Sequence, residues 1–226
     1  MKKVLLLFAT LFALGQNAFA YDFSVVSPSG HTLIYTIYNG NSVSVACSSN
    51  ISGALIIPSS VTYNGYTFSV TSIAMNAFEG CTGMTSVTIP NSVISIASNA
   101  FERCTGLSAV TIPNSVTFIG EGAFSKCSGL TSITIPNSVT TMGVAAFSDC
   151  TWLSSVFFNA DSCSLNGPIF ARCHLFTSIT FGNNVKRIPG YLCKNCTSLT
   201  TVTIPDSVNS IGGYAFHHYL DNRLIM

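Results

Sequence analysis

The stretch Cys104-Thr-Gly-Leu-Ser-Ala-Val-Thr-Ile-Pro-Asn-Ser-Val116, continued by Ile119 and Ala123-Phe124, is one unit of a repeat. Shifting it by 23 residues in either direction returns nearly the same letters, most visibly in a series of cysteines: Cys81, Cys104, Cys127, Cys150, Cys173 and Cys196. Phenylalanine keeps the same period at a second position, which only Cys193 interrupts: Phe78, Phe101, Phe124, Phe147, Phe170 and Phe216. A fixed period of about 20 to 50 residues is typical of a solenoid. The chain is therefore predicted to stack coils of equal length.

Each unit divides into a strand and a return leg. The strand follows the pattern L-x-x-V-x-I, the core of leucine-rich repeats, and Val110-Thr111-Ile112 alternates apolar and polar side chains, so that one face is buried. Pro113 ends the strand because it has no N–H for the ladder. On the return leg, the spacing of Val116, Ile119 and Phe124 favours a tight turn followed by about one helical turn. The predicted fold is a leucine-rich-repeat solenoid of the α/β type, with 23-residue repeats, short parallel strands and 3-10 or short-helix return legs.

The first twenty residues have the pattern of a secretory signal peptide. Lys2 and Lys3 form a basic start, residues 4–14 are apolar, and Ala18-Phe19-Ala20 has the small-x-small form of a cleavage site. The alternative is a retained anchor, but the apolar run is short for a membrane span. The chain is therefore predicted to be exported, to be secreted or held at the cell surface, and to carry no membrane span once mature.

The mature chain is predicted to have two parts, an N-terminal β cap over residues 21–50 and the solenoid over residues 51–226. Thr32–Tyr38 and Ser42–Val45 flank Asn39-Gly40-Asn41 and indicate a β-hairpin at the head of the solenoid. Thr62–Val70 is an insertion whose Asn64-Gly65 predicts the turn of a second, small hairpin. The last repeat is incomplete, so its edge is predicted either to fray after about Val208 or to associate with another copy.

Composition excludes some classes of function. Only 8% of the residues are charged, and removing Lys2 and Lys3 leaves seven basic against eight acidic residues, a net charge of −1. A nucleic-acid surface needs clustered lysine and arginine, so no nucleic-acid partner is expected. The carboxylates are scattered over the return legs and edges and nothing in the sequence places an acid and a nucleophile beside the histidines, whereas a catalytic site needs such groups to converge. The sequence therefore predicts neither an enzyme nor a cofactor, and it contains no candidate catalytic residue.

The nine cysteines have two interpretations. An exported chain with many cysteines usually forms disulfides, but six of these fall at one repeat position and an odd number cannot pair completely. Equivalent atoms in stacked coils lie about 4.8 Å apart, so a ladder of buried free thiols is the simpler interpretation. Cys193-Lys-Asn-Cys196 has the spacing of a redox or zinc motif, yet both residues fall in core columns and no further ligands are nearby. No metal site is predicted.

The motifs ITIPNSV and AF-x-x-C-x-x-L resemble those of the BspA-like leucine-rich-repeat surface proteins of gut and oral bacteria. Ile57–Ile73 looks like the usual opening of the array in that family, and the resemblance covers residues 21–219. It implies display at the cell surface, adhesion to host proteins or to other cells, and no catalysis. The chain departs from the pattern at Phe157-Phe158-Asn159, which replaces Thr-Ile-Pro, and at Cys193 in the phenylalanine series.

The outward face of the strands is a sheet of hydroxyl groups, and this adaptable polar surface is predicted to bind a ligand. Phe157 is the only aromatic residue at an outward strand position, and Trp152 replaces the glycine of earlier repeats, so the two are predicted to form one exposed patch. The candidate binding residues are Trp152, Phe157, Thr111, Thr134, Ser155 and Thr180. The alternative is that threonine is simply a good β-former on a wet face and that repeat four has repacked around Asp161–Pro168.

The predicted function is adhesion, as a secreted or surface-exposed repeat protein whose partner is an extracellular protein or a glycan. The alternative is a structural or scaffold segment, or a fragment of a longer surface protein, without a ligand of its own.

Overall fold

The computed structural model describes residues 21–161 and 163–217. The predicted signal peptide, residues 1–20, and residues 218–226 of the incomplete last repeat lie outside this part of the chain. Within it are eighteen strands, numbered here in chain order: β1 (Phe23–Val26), β2 (Thr32–Asn39), β3 (Ser42–Cys47), β4 (Ser52–Ile56), β5 (Ser60–Tyr63), β6 (Tyr66–Ile73), β7 (Gly83–Thr88), β8 (Ser95–Ile96), β9 (Ala109–Val110), β10 (Phe118–Ile119), β11 (Ser132–Ile135), β12 (Thr141–Met142), β13 (Ser155–Phe158), β14 (Ser164–Leu165), β15 (Ser178–Phe181), β16 (Arg187–Ile188), β17 (Thr201–Thr203) and β18 (Ser210–Ile211).

The strands form the two sides of a solenoid. One side is a row of parallel strands, called here the strand face, in which each of seven coils contributes one member: β4, β7, β9, β11, β13, β15 and β17. Each residue of a strand pairs with the residue one repeat later, so that Val87 lies opposite Val110 and Val156 lies between Ile133 and Ile179. The predicted stacking of the valine and isoleucine column is thus confirmed for these pairs, although β9 and β11 do not ladder and the row divides there.

The other side is built by the return legs, each of which contains a two-residue strand. On this side β6 pairs with β8, and the parallel ladder continues from β8 through β10 and β12 to β14. A separate two-stranded ladder joins β16 and β18. We number the coils from the strand β7, so that β13 opens coil four and β15 opens coil five. Between these coils the strand face is continuous but the return-leg ladder is interrupted, since β14 and β16 are not partners.

The predicted 3-10 or short-helix form of the return legs is wrong, because the described residues contain no helix. Backbone N–H groups of a return leg donate to carbonyls of the next coil. The Phe101 N–H donates to the Ala123 carbonyl at 2.8 Å, and the Arg103 N–H donates to the Ser125 carbonyl at 2.9 Å. Asn99 and Arg103 have left-handed φ values of 56° and 60°, which stop a helix from continuing. The apolar residues of the leg, whose spacing would fit one turn of helix, therefore lie on two consecutive non-helical turns.

The core is a set of columns that run along the solenoid. The ring of Phe124 stacks between Phe101 and Phe147, with ring centroids 5.1 Å apart on either side. Beside them the Cys127 thiol donates to the Phe101 carbonyl at 3.1 Å, and the thiols of neighbouring coils repeat this bond. All six ladder cysteines are buried as free thiols, as the spacing of the columns predicts.

Burial should keep the ladder cysteines unreactive in the native protein. It raises the pKa of the Cys127 thiol to about 12, so almost no thiolate is present near neutral pH. We expect Cys104, Cys127 and Cys150 to resist alkylation in the folded protein and to be labelled fully after denaturation, as measured by mass spectrometry of the peptides. Rapid labelling of Cys127 in the native protein, or recovery of disulfides between ladder positions, would contradict this expectation.

The N-terminal residues form antiparallel strands at the predicted places. β2 pairs with β1 and β3, and β3 then pairs in parallel with β6, so this hairpin extends the return-leg side of the solenoid. The predicted small hairpin is also present: Tyr63 lies opposite Tyr66, and the turn between them has φ values of 50° at Asn64 and 79° at Gly65. Positive φ at both central residues is the geometry that Asn-Gly favours in a two-residue hairpin. The role of residues 21–50 as a cap stays a prediction.

Candidate functional site

The strand face presents its hydroxyl groups around one aromatic side chain. Phe157 on β13 lies directly between Thr134 and Thr180 in the parallel register and is 40% exposed. Ser155, two residues earlier on the same strand, is half-buried between the equivalent serines of the neighbouring coils. Thr111 is exposed but follows β9, where the ladder is interrupted. The structure therefore brings together four of the predicted residues, Phe157, Thr134, Ser155 and Thr180.

Trp152 lies outside the strand that carries Phe157. It is 64% exposed at the turn before β13, and within the described residues its ring does not stack on that of Phe157. Its equivalent in coil five is Leu175, which is also exposed. One patch shared by Trp152 and Phe157 stays a prediction.

The unusual residues of repeat four fit one another. Phe158 is buried and packs edge-to-face on Phe181 at 5.8 Å. Gly182 occupies the column where most repeats have proline, and a Cβ there would collide with the Asn159 amide and lie 3.2 Å from the Phe157 ring. The departure from the repeat pattern is thus a local repacking that also supports the exposed ring of Phe157.

The Cys193-x-x-Cys196 motif lies in the core. Both thiols are buried, in the columns that the sequence assigns to them. No group of three or more histidine, cysteine, aspartate or glutamate side chains within the described ranges is arranged to hold a metal ion. Burial raises the pKa of the Cys193 thiol well above its usual value. The pair is therefore part of the hydrophobic column.

A second candidate site, which the sequence analysis missed, lies on the return-leg side between coils four and five. At an ordinary junction several N–H groups of one leg bond to the next, for example Phe124 to Ala146 and Lys126 to Ser148, both at 2.8 Å. The equivalent N–H groups of Phe170 and Arg172 have no partner among the described residues. We call this gap between the legs 159–173 and 182–196 the open junction.

Two prolines account for much of the open junction. Pro168 and Pro189 stand at positions that donate a backbone hydrogen bond at other junctions, as Gly122 does to Val144 and Gly143 does to Ile119. Proline has no N–H, so both bonds are lost at the same junction. The Lys186 N–H, which would continue the ladder, donates instead to the side chain of Asp161.

The core columns are also weakened at this junction. Cys193 stands where the phenylalanine stack would continue, and Phe170 packs on Phe176 at 5.1 Å instead. The bond from the Cys196 thiol to the Phe170 carbonyl is 3.7 Å long, against 3.1 Å for the equivalent bond of Cys173. On the strand face, Val156 and Ile179 remain paired. The two coils therefore stay joined on one side and separate on the other.

The open junction leads into a groove of about 670 Å³. We call it the tyrosine groove, after the exposed rings of Tyr191 and Tyr214, which stack at 5.4 Å with an angle of 20° between their planes. The Lys194 ammonium lies 5.3 Å and 5.7 Å from the two ring centroids, within cation–π distance. Lys186 and Arg187 line the same groove, as does Asp161.

The charges of the groove differ from those elsewhere on the return legs. Arg172 holds Asp149 in a two-fold hydrogen bond of 2.6 Å, which lowers the pKa of that carboxyl, and Lys126 pairs with Glu102 at 2.8 Å. By contrast, none of the three basic residues at the groove has a carboxylate within ion-pair distance in the part of the chain that the structure describes: Lys186, Arg187 and Lys194. The groove thus combines an aromatic stack with positive charge that has no ion-pair partner among the described residues.

The coils define the protein as a leucine-rich-repeat solenoid. A model of BspA type leucine rich repeat regions matches residues 56–175 and 163–222, with six copies. The chain belongs to this family, as the resemblance of its motifs predicts. Among the described residues no helix is available to span a membrane.

Two solved structures share the fold. A leucine-rich repeat protein of T. pallidum is 26% identical, with a TM-score of 0.64 over 84% of this chain and 82% of its own. A leucine rich cell surface protein of Faecalibacterium prausnitzii is 29% identical, with a TM-score of 0.62 over 87% of this chain and 52% of its own. The present chain thus spans about half the length of the second protein. A comparison with curated proteins gave no match.

Proposed function

We propose that the protein is a non-catalytic adhesion protein, secreted or displayed at the cell surface, that binds an extracellular protein or glycan through the strand face around Phe157. The observation that carries this proposal is the position of Phe157, which is 40% exposed between two rows of hydroxyl groups on a continuous parallel sheet. The similarity of the chain to a leucine rich cell surface protein supports the proposed location at the cell surface.

The strand face suits such a role because its side chains are held in place before binding. The backbone of β13 is hydrogen-bonded to both neighbouring coils, so Thr134, Phe157 and Thr180 keep a fixed spacing. Partly exposed aromatic residues surrounded by polar groups are frequent anchors of interfaces. A rigid surface of this kind loses little conformational entropy when it binds.

The proposal predicts a large effect of one substitution on the strand face. We expect Phe157→Thr to weaken binding at least tenfold, because it removes the aromatic anchor but supplies a residue type that the neighbouring strands carry. Binding would be measured on arrays of extracellular matrix proteins and glycans, followed by titration of each bound ligand. The melting temperature should change little, since threonine is favourable in strands.

A matched control is available on the opposite side of the solenoid. Phe118 is 39% exposed on β10, and Phe118→Thr removes the same ring from a return leg. If the two variants lose affinity equally, or neither does, the strand face around Phe157 is not the binding surface. An absence of any ligand on the arrays would favour the scaffold alternative.

A further inference from the structure

We propose that the tyrosine groove at the open junction is a second binding site, whose ligand is an acidic oligosaccharide of the uronic-acid type. The site lies on the return-leg side, away from the strand face, and does not depend on the proposed role of Phe157. It is defined by Tyr191, Tyr214 and Lys194, together with Lys186 and Arg187.

The repeat geometry places the two tyrosines at equivalent points of neighbouring coils. Their column has left-handed φ in most coils, at Asn76, Asn99, Gly122 and Ala145 as well as at Tyr191 and Tyr214, so this conformation belongs to the repeat. What distinguishes the last two coils is the side chain: both carry an exposed tyrosine, and the two rings stack at 5.4 Å.

The chemistry of the groove matches a charged sugar ring. A stacked aromatic pair offers an apolar surface to the C–H groups of a pyranose ring. Arg187 can bind a carboxylate in two-fold fashion, and Lys186 and Lys194 add positive charge. Lys186 and Arg187 line the groove with one carboxylate, that of Asp161, and the Lys194 ammonium lies beside the tyrosine rings, so the balance of charge favours an anion over a neutral ligand.

The dimensions of the groove favour a short oligosaccharide over a peptide strand. A volume of about 670 Å³ lies within the range of sites for small ligands, roughly 300 to 1,000 Å³. A peptide that adds to a sheet needs a row of free edge groups, but β14 and β16 are only two residues long and Pro189, next to β16, lacks an N–H.

The test is calorimetric titration of the full chain with three probes: a tetrasaccharide of galacturonic acid, its neutral methyl ester, and hexaglutamate. We expect the acid sugar to bind, the ester to bind at least tenfold more weakly, and the affinity for the acid to fall as salt is raised. Hexaglutamate should bind at least tenfold more weakly than the acid sugar. Absence of binding by the acid sugar at millimolar concentration, or tighter binding of hexaglutamate, would overturn the proposal.

Substitutions locate the site. The double variant Tyr191→Asn with Tyr214→Asn should lose at least tenfold in affinity while keeping the backbone, since asparagine occupies this column in earlier coils. Arg187→Gln should lose a similar factor. One control should bind as the wild type does: Tyr66→Asn, which removes an exposed tyrosine from the β5–β6 hairpin. Unchanged affinity in the double tyrosine variant, with circular dichroism showing it folded, would rule out the groove.

Discussion

Replacing Phe124 by alanine should lower the free energy of unfolding by about 3–5 kcal/mol, the usual cost of removing a buried aromatic ring. Phe124 is fully buried and its ring stacks on Phe101 on one side and on Phe147 on the other, at 5.1 Å in each case. Neighbouring side chains cannot fill the cavity that alanine leaves, because each is held in place by its own contacts with the adjacent coils. Urea denaturation followed by circular dichroism would measure the change.

The matched control is Phe118→Ala in the same coil, where the ring is 39% exposed. We expect it to cost less than about 1 kcal/mol, since much of the ring already contacts water. Equal losses in the two variants would mean that the phenylalanine column does not carry the stability of the solenoid. Solenoids can lose two-state behaviour when one coil is weakened, so a separate early transition in Phe124→Ala would also be consistent with the columnar core.

Replacing Gly143 by alanine should also be strongly destabilising, by about 1–3 kcal/mol, because it overfills a closed junction. Gly143 donates its N–H to the Ile119 carbonyl at 2.8 Å, and this contact brings it against the neighbouring leg. A Cβ at this position would collide with the Glu121 backbone nitrogen and lie 2.6 Å from the Glu121 Cα. Backbone atoms cannot move aside as a flexible side chain can, so the two legs would have to separate.

Gly213→Ala is the control for this variant. No atom of the described residues lies within 4 Å of a Cβ built at Gly213, and its φ is not in the left-handed region. We expect a change of no more than about 0.5 kcal/mol, in either direction, since alanine also restricts the unfolded chain. Thermal denaturation of both variants under the same conditions would compare them. A larger loss for Gly213→Ala than for Gly143→Ala would show that the return legs do not approach each other as described.

The stacking of the strands is predictable from the sequence because the period carries each apolar residue onto its equivalent. Val87 reaches Val110 and Val156 reaches Ile179 without any knowledge of side-chain contacts. The small hairpin near the N-terminus is predictable for a local reason, since Asn64-Gly65 has a strong preference for one turn type.

The form of the return legs could not be predicted in the same way. The apolar spacing between Ile119 and Phe124 fits one helical turn as well as it fits two consecutive turns. The bonds that decide between them run to the next coil, and the left-handed residues that end each turn include ordinary side chains such as Arg103 and Lys126. Local propensity carries no signal for either feature.

The two candidate sites differ in how much the sequence reveals. Phe157 is recognisable because it replaces threonine at an outward position, and the structure leaves it exposed there. Tyr191 and Tyr214 share a column, and their spacing of one repeat is visible in the sequence. The groove beside them is not, because it depends on Pro168 and Pro189 facing the same junction.

The separation of coils four and five on the return-leg side is tested most directly by native-state hydrogen exchange at four equivalent amides. Phe124 and Lys126 donate to the next coil at 2.8 Å, whereas Phe170 and Arg172 have no acceptor in the part of the chain that is described. We expect the amides of Phe170 and Arg172 to exchange at least about a hundredfold faster than those of Phe124 and Lys126, because an amide without an acceptor exchanges without the local opening that a bonded amide requires. Equal protection of the two pairs would show that the ladder of return legs is continuous and that the open junction does not exist in solution.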